Sequence, residues 1–493
     1  MSLFDLLAAH RDRVALTAGD RDYTYGALAD ASARVAAALL ARGLLPGERV
    51  ACFLPNRVEL AIAYFGCFAA RLVAVPLNPR YQGPEVEYAV ADCAPRLLIA
   101  DAALLDRLDG ARLAALGVAD VLVVGGGAPS GTHPFAALLD APPLATPRRV
   151  AGDAPAVILY TSGSTGRPKG VTHTHASLRR TAEHQIVSQA LDAGDVQLAW
   201  MGIAYIAAFA GQLLTSLRLG GRLVLLPHFD PDAVVAAVAR HGATRLQSGP
   251  ADLRDLVDRP RPAPAALATL RCCIAGGEQI HADLHARFAD WTGVALTEAC
   301  GMTEAYNYAM NPPFGAKRIG SFGRPSDGAE LRLVGSDGRD AAEGEILVRS
   351  DAMARQYWNN PAATADTWRE GWLVTGDLAR RDADGWYWFV GRRKQIIIRG
   401  ASNIAPGEVE AVLLQHPSVA AAGVVGAPDP HDGHVPVAFV QARAGAVVDP
   451  KALRAFVAAR LAAYKVPVRI TVLDALPVNV NGKVDRVALS TRV

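Results

Sequence analysis

The chain carries almost no net charge, with 50 Lys and Arg against 48 Asp and Glu for a formal +2. That balance leaves no basic footprint for nucleic acid and no attraction to an anionic membrane. Apolar residues make up 51% of the sequence. Even so, no run of about 18 is free of charges or breakers, which excludes a membrane-spanning helix. The opening Met1-Ser-Leu-Phe-Asp-Leu-Leu lacks the basic flank and apolar core of a secretion signal, so a cytoplasmic location is expected. Only six cysteines occur, Cys272 and Cys273 adjacent, with no metal-ligand spacing and no disulfide framework. No repeat of 20–50 residues is evident. Small molecules remain as the expected partners of a chain of 493 residues, too long for one hydrophobic core.

What is present is an alternation of helical and strand patterns. Leu28 to Leu40 spaces its apolar residues by three and four, and Arg49 to Leu54 follows as a buried strand. Glu59 to Ala70 is helical again and Val73 to Pro76 extended. Such alternation predicts crossover units on a parallel sheet, and it resumes after a Gly/Pro-rich stretch from Gly125 to Pro147 that reads as a loop. From about Gly320 short strands with turn dipeptides predict a small β-subdomain. After Arg392 a compact α+β unit is expected, with helices starting at Pro406 and Pro450.

The strongest chemical signal is Tyr160-Thr-Ser-Gly-Ser-Thr-Gly-Arg-Pro-Lys-Gly170, directly after the apolar Ala156 to Leu159. Gly163 and Gly166 allow backbone N–H groups to approach phosphate oxygens. Thr161, Ser162, Ser164 and Thr165 offer hydroxyls, and Lys169 adds a positive charge. The segment is not a Walker loop. Pro168 precedes the lysine, and Gly170 stands where that motif places its Mg-binding hydroxyl.

At this loop the chain resembles the adenylate-forming superfamily of acyl-CoA synthetases, adenylation domains and luciferases. Matching motifs then recur in order: Gly276-Gly-Glu278, Cys300-Gly-Met-Thr-Glu304, Trp372-Leu-Val-Thr-Gly-Asp377, Gly391-Arg-Arg-Lys-Gln395 and Pro477-Val-Asn-Val-Asn-Gly-Lys483. The resemblance implies a large N-terminal domain (1–393) of two doubly wound α/β subdomains plus a β-subdomain, and a mobile α+β lid (394–493). It implies ATP, Mg²⁺ and coenzyme A as the small molecules handled, together with a carboxylic acid. The acyl-adenylate would form first and pass to a thiol, coenzyme A or, as the alternative, that of a carrier protein. No nucleic acid and no membrane insertion are expected, and the enzyme would be a monomer or homodimer.

By the same resemblance Gly277, Glu278 and Cys300 lie on the adenine side, and Asp377 and Arg392 hold the ribose. A carboxylate can accept both ribose hydroxyls. Glu304 and Thr165 are the candidates for Mg²⁺, with Thr303 near the α-phosphate. Lys483 would bridge the acid's carboxylate and the α-phosphate, and Lys394 marks the hinge. Tyr205, Phe209, Gln247, Ala275, Met302 and Asn307 are implied around the acyl cavity, interleaved with small residues that leave room for a bulky, ring-containing or fatty acid. Two positions depart from the family pattern: Cys300 replaces an aromatic against adenine, and Tyr205 a histidine that gates the acid site. No acidic residue lies between Met201 and Leu217 to pair an α-ammonium, so an amino acid is an unexpected substrate. His173 and His175, like His431 and His434, are expected in surface loops, and Trp386 to Trp388 is expected to pack the β-subdomain.

Overall fold

The computed structural model describes residues 2–161, 168–259, 264–277, 280, 282–399, 402–429, 432–461, 463–479 and 482–493, and the side chains of 394, 398, 402, 403 and 433 lie outside that description. Local chemistry sets the helix boundaries. Thr24 caps Tyr25–Ala41 by accepting from Ala27 N, and Asp230 caps Pro231–His241, whose first residue is the proline that its missing N–H suits to that position. Helices Tyr25–Ala41 and Val58–Ala70 pack closely because residue 66 is glycine: a Cβ there would lie 2.6 Å from Val35 Cγ1.

Packing divides the chain into two units, residues 1–331 with 348–374, and residues 332–347 with 375–493. Among the described residues two sheets lie wholly within the first unit. One has eight strands, in the order Gln356–Tyr357, Lys169–Thr174, Pro155–Thr161, Val73–Pro76, Arg49–Phe53, Leu97–Asp101, Asp120–Val124, His133–Pro134. The other has nine, running from Arg324–Pro325 through Ala305–Met310, Leu296–Met302, Cys272–Gly276, Arg245–Ser248, Val196–Ala199 and Arg222–Leu225 to Val14–Ala18 and Arg21–Thr24. The central strands of both are parallel and buried, as the alternation predicted. Strand Val73–Pro76 falls where the sequence places it.

The Gly125–Pro147 stretch is not all loop: His133–Pro134 adds an edge strand, and Phe135–Leu138 forms a short 3₁₀ turn that buries Phe135 and Leu138. An apolar pair inside a Gly/Pro-rich segment overrides the turn signal by its burial.

The chain passes between the units within Glu330–Val334, Glu343–Arg349 and Trp372–Arg381, three strands of the β-rich segment expected after Gly320. In the second unit Val419–Asp429 and Gly433–Ala442 pair antiparallel, and Arg469–Leu473 joins the latter in parallel. Val409, Leu413, Val424, Val440, Leu453 and Val457 fill the core, drawn from helices Pro406–Leu413 and Pro450–Ala458 and from the strands. Trp386 and Tyr387 are buried, and Trp388 donates to Asp382 Oδ2 (3.2 Å) under the Arg380 guanidinium, the packing role expected of them.

Candidate active site

Strands Pro155–Thr161 and Lys169–Thr174 are antiparallel neighbours, with Thr161 opposite Lys169. The phosphate-loop segment thus joins two strands, where a Walker loop would run into a helix. Ser162, Gly163, Ser164, Thr165 and Gly166 lie outside the described residues, as does Glu278. Lys169 opens the second strand, its ammonium 4.6 Å from the centre of the Tyr357 ring, a cation–π contact.

The Cys300-Gly-Met-Thr-Glu304 motif is the corner of a hairpin. Met302 pairs with Ala305, so Thr303 and Glu304 form its two-residue connection. Gly301 is required beneath it, since a Cβ there would lie 2.2 Å from Asn307 N. The corner is anchored twice. His173 Nε2 meets the Thr303 carbonyl at 2.7 Å, and the Tyr357 hydroxyl donates to Glu304 Oε1 at 2.5 Å. Glu304 is buried at 6% exposure, so a directed donor replaces part of the water its carboxylate gives up. Burial, then the neighbouring Glu304 charge, raises the Tyr357 pKa and keeps its proton in that bond.

The surface-loop reading of His173 and His175 is overturned. Both are buried, His173 on strand Lys169–Thr174 and His175 at the first turn of helix His175–Ser188. Burial lowers each pKa to about 4, so both are neutral near pH 7, and a neutral His173 can give its Nε2 proton to Thr303. His434 is exposed on strand Gly433–Ala442, and His431 lies outside the described residues.

Among the residues expected around the acid, the 201–203 loop is fixed by Asn56, whose amide donates to Met201 O and Leu226 O and accepts from Ile203 N. Tyr205 donates to Asn78 Oδ1 at 2.6 Å, and burial pushes its pKa up to about 12. Phe209 is fully buried with its ring 4.7 Å from that of Tyr64, which places it in the core. Ala275 is equally buried on strand Cys272–Gly276, and Met302 is half-buried. Asn307, at φ 41°, exchanges hydrogen bonds with Gln185 of helix His175–Ser188. Gln247 donates to the Tyr306 hydroxyl at 2.5 Å. Cys300 Sγ lies 3.1 Å from the Tyr308 hydroxyl, so at this departure from the family pattern the thiol meets a phenol of the facing strand. Gly277 sits just past strand Cys272–Gly276 at φ 89°.

In the second unit Asp377 and Arg392 face each other across paired strands, Oδ1 to Nε 2.8 Å, the carboxylate buried and the guanidinium half-exposed. Arg393 pairs with Glu345 at 2.9 Å. The Lys394 side chain lies outside the described residues. Lys483 is exposed at the end of a turn in which its N–H donates to Asn479 Oδ1 and its carbonyl accepts from Asn479 N.

Tyr357, Tyr306, Asn56 and Asn78 were not singled out by sequence. The only available hint was the Tyr357-Trp358 pair ahead of Asn360-Pro361, where a helix begins.

An indoleacetate–CoA ligase of Aromatoleum aromaticum is 34% identical over 96% of this chain and 93% of its own. A sulfoacetate–CoA ligase of Cupriavidus necator is 36% identical over 94% and 92%. The crystal structure of an anthranilate–CoA ligase in complex with anthranoyl-AMP superposes with a TM-score of 0.91 at 27% identity, covering 100% of this chain and 97% of that one. The family model "AMP-binding enzyme" matches residues 4–358 and its C-terminal domain model residues 408–483, so the chain belongs to the AMP-binding enzyme family.

Proposed function

We propose that the chain is an ATP-dependent acid–CoA ligase acting on a ring-containing or other bulky monocarboxylic acid. The acid's carboxylate oxygen attacks the α-phosphorus of ATP, a P–O bond forms, and the bond to the departing pyrophosphate breaks. The coenzyme A sulfur then attacks the acyl carbon of the mixed anhydride; AMP leaves and the thiol proton passes to solvent. The gathering of Lys169, Tyr357 and Glu304 at the ends of the phosphate-loop strands carries this reading. A cation and a held carboxylate at that place suit a triphosphate with its counter-ion.

Glu304 fits Mg²⁺. A single buried carboxylate suits an ion that is held mainly by substrate phosphates and water, and among the described residues no three His, Cys, Asp or Glu side chains gather into a protein cage. Thr165 would offer the ion a hydroxyl, and the bound ion would screen phosphate charge. Thr303 stands beside Glu304 on the same hairpin connection, Asp377 would accept the ribose hydroxyls with Arg392 beside it, and Lys483 would neutralise charge at the α-phosphate. Residues 394–493 would turn about Lys394 between the two steps.

The acid is less constrained, because relatives of similar identity act on aromatic and non-aromatic acids. A screen for acid-dependent pyrophosphate release tests the reading. Release with an aryl or medium-chain acid, followed by thioester formation on free coenzyme A, is expected. Thioester formed only on a carrier protein would favour the stand-alone adenylation alternative, and no release with any acid would remove the adenylation reading.

A further inference from the structure

Gln247 sits one residue from the carboxyl end of strand Arg245–Ser248, in parallel register with Ile274 of Cys272–Gly276. Ligands of open α/β sheets bind beyond such strand ends. The residue is 7% exposed, and only half of its side-chain amide is used. Nε2 donates to the Tyr306 hydroxyl at 2.5 Å, while Oε1 is buried with no hydrogen-bond partner in the protein. The Tyr306 end is built to stay in place. The ring packs against the core beside helix segment Phe209–Leu214, and residue 211 is glycine: a Cβ there would lie 2.2 Å from the Tyr306 oxygen. With the amide nitrogen tied down, the direction of Oε1 is fixed. Gln212 also leaves a buried Oε1 unpartnered, but it lies in the middle of segment Phe209–Leu214 at 1% exposure, on no strand end, with its amide donating to Leu198 O.

We propose that Gln247 Oε1, oriented by Tyr306, accepts a hydrogen bond from the acid substrate, and that the preferred acid therefore carries an O–H or N–H donor on the part remote from its carboxylate. This rests on the acid–CoA ligase reading above and narrows its substrate class to hydroxyaryl, aminoaryl and N–H heteroaryl acids. A buried carbonyl oxygen without a donor is unfavourable. A water molecule can supply one in the free enzyme, but an acid that displaces the water without replacing its proton leaves the oxygen bare. Sites built this way discriminate against analogues lacking the donor far better than apolar pockets discriminate by size.

The test compares kcat/KM for acid-dependent pyrophosphate release within shape-matched pairs: 4-hydroxycinnamate against 4-fluorocinnamate, and indole-3-acetate against benzothiophene-3-acetate. The donor-bearing member of at least one pair should be favoured by about tenfold or more. Gln247→Leu should reduce that preference to within about twofold by raising activity on the donor-free partner relative to the other. Tyr306→Phe keeps the ring and releases the amide, so it should weaken the preference even if the leucine variant folds poorly. Equal use of both members, preference for the donor-free acids, or a preference that survives both substitutions would overturn the proposal while leaving adenylation intact. Absence of pyrophosphate release with every acid would overturn the underlying reading as well.

Discussion

The Tyr357 hydroxyl donates to Glu304 Oε1 at 2.5 Å while the ring of the same tyrosine lies under the Lys169 ammonium. One side chain therefore touches both charged groups assigned to the triphosphate. Tyr357→Phe keeps the surface under Lys169 and removes only the donor to a buried carboxylate. The variant should lose about 1–3 kcal/mol of unfolding free energy. Its kcat for adenylation should fall about tenfold as Glu304 loses its orientation. Chemical denaturation and pyrophosphate-release assays read the two effects, and an unchanged kcat would detach Tyr357 from the site.

The phosphate-loop segment and the Cys300–Glu304 motif could be singled out in the sequence because their parts are contiguous: small and hydroxyl residues directly after an apolar strand, and five adjacent residues that match a family motif. Tyr357 and Tyr306 were not, because their partners stand 53 and 59 residues away and no local pattern joins them. Strand Val14–Ala18 shows the same limit. Its pairing with Arg222–Leu225 is a property of the finished sheet. His173 misled for another reason. Thr172-His-Thr-His reads as a polar surface run, yet the strand lies inside the sheet and burial takes both faces. Small residues around Tyr205 suggested open volume; Phe209 turned out to belong to the core, and Tyr306, which the sequence had not brought forward, lies against Gly211.

Asp377→Ala should raise KM for ATP by about tenfold or more and leave KM for the acid within about twofold, because the proposed partners of the carboxylate are ribose hydroxyls. The substitution also strips Arg392 of its ion pair, so Arg392→Ala serves as the control. Arg392 is half-exposed and should shift KM less. An effect confined to the acid would place Asp377 elsewhere.

His184 is held between two carboxylates, Nδ1 to Asp327 Oδ2 at 2.7 Å and Nε2 to Asp351 Oδ1 at 2.8 Å, with Arg180 also on Asp351 at 3.1 Å. Burial works to lower its pKa, but the two hydrogen-bonded carboxylates outweigh it and raise the value above 6.5. A raised histidine pKa adds stability that is complete below the unfolded value, about 6.5, and is lost as pH rises through the folded one. The Tm of the wild type should therefore fall more than that of His184→Gln between about pH 6 and pH 9, measured at constant ionic strength. Parallel Tm curves for the two proteins would show that the imidazole is not charged in the folded state.

Lys483 gives the sharpest separation of chemistry from stability. Its side chain is exposed on the turn closed by Asn479, and truncating an exposed side chain of this kind usually changes stability by less than about 0.5 kcal/mol. A loss of activity in Lys483→Ala is then a loss of transition-state charge neutralisation, for which about 100-fold or more in the adenylation rate is expected. The second step makes no such demand: with acyl-adenylate supplied, thioester formation should stay within about threefold of wild type. Lys394→Pro should reverse the pattern, because fixing φ at the proposed hinge restricts the rotation between steps and leaves the first intact. Near-normal adenylation by Lys483→Ala would remove the lysine from the first step, and normal thioester formation by Lys394→Pro would move the hinge away from residue 394.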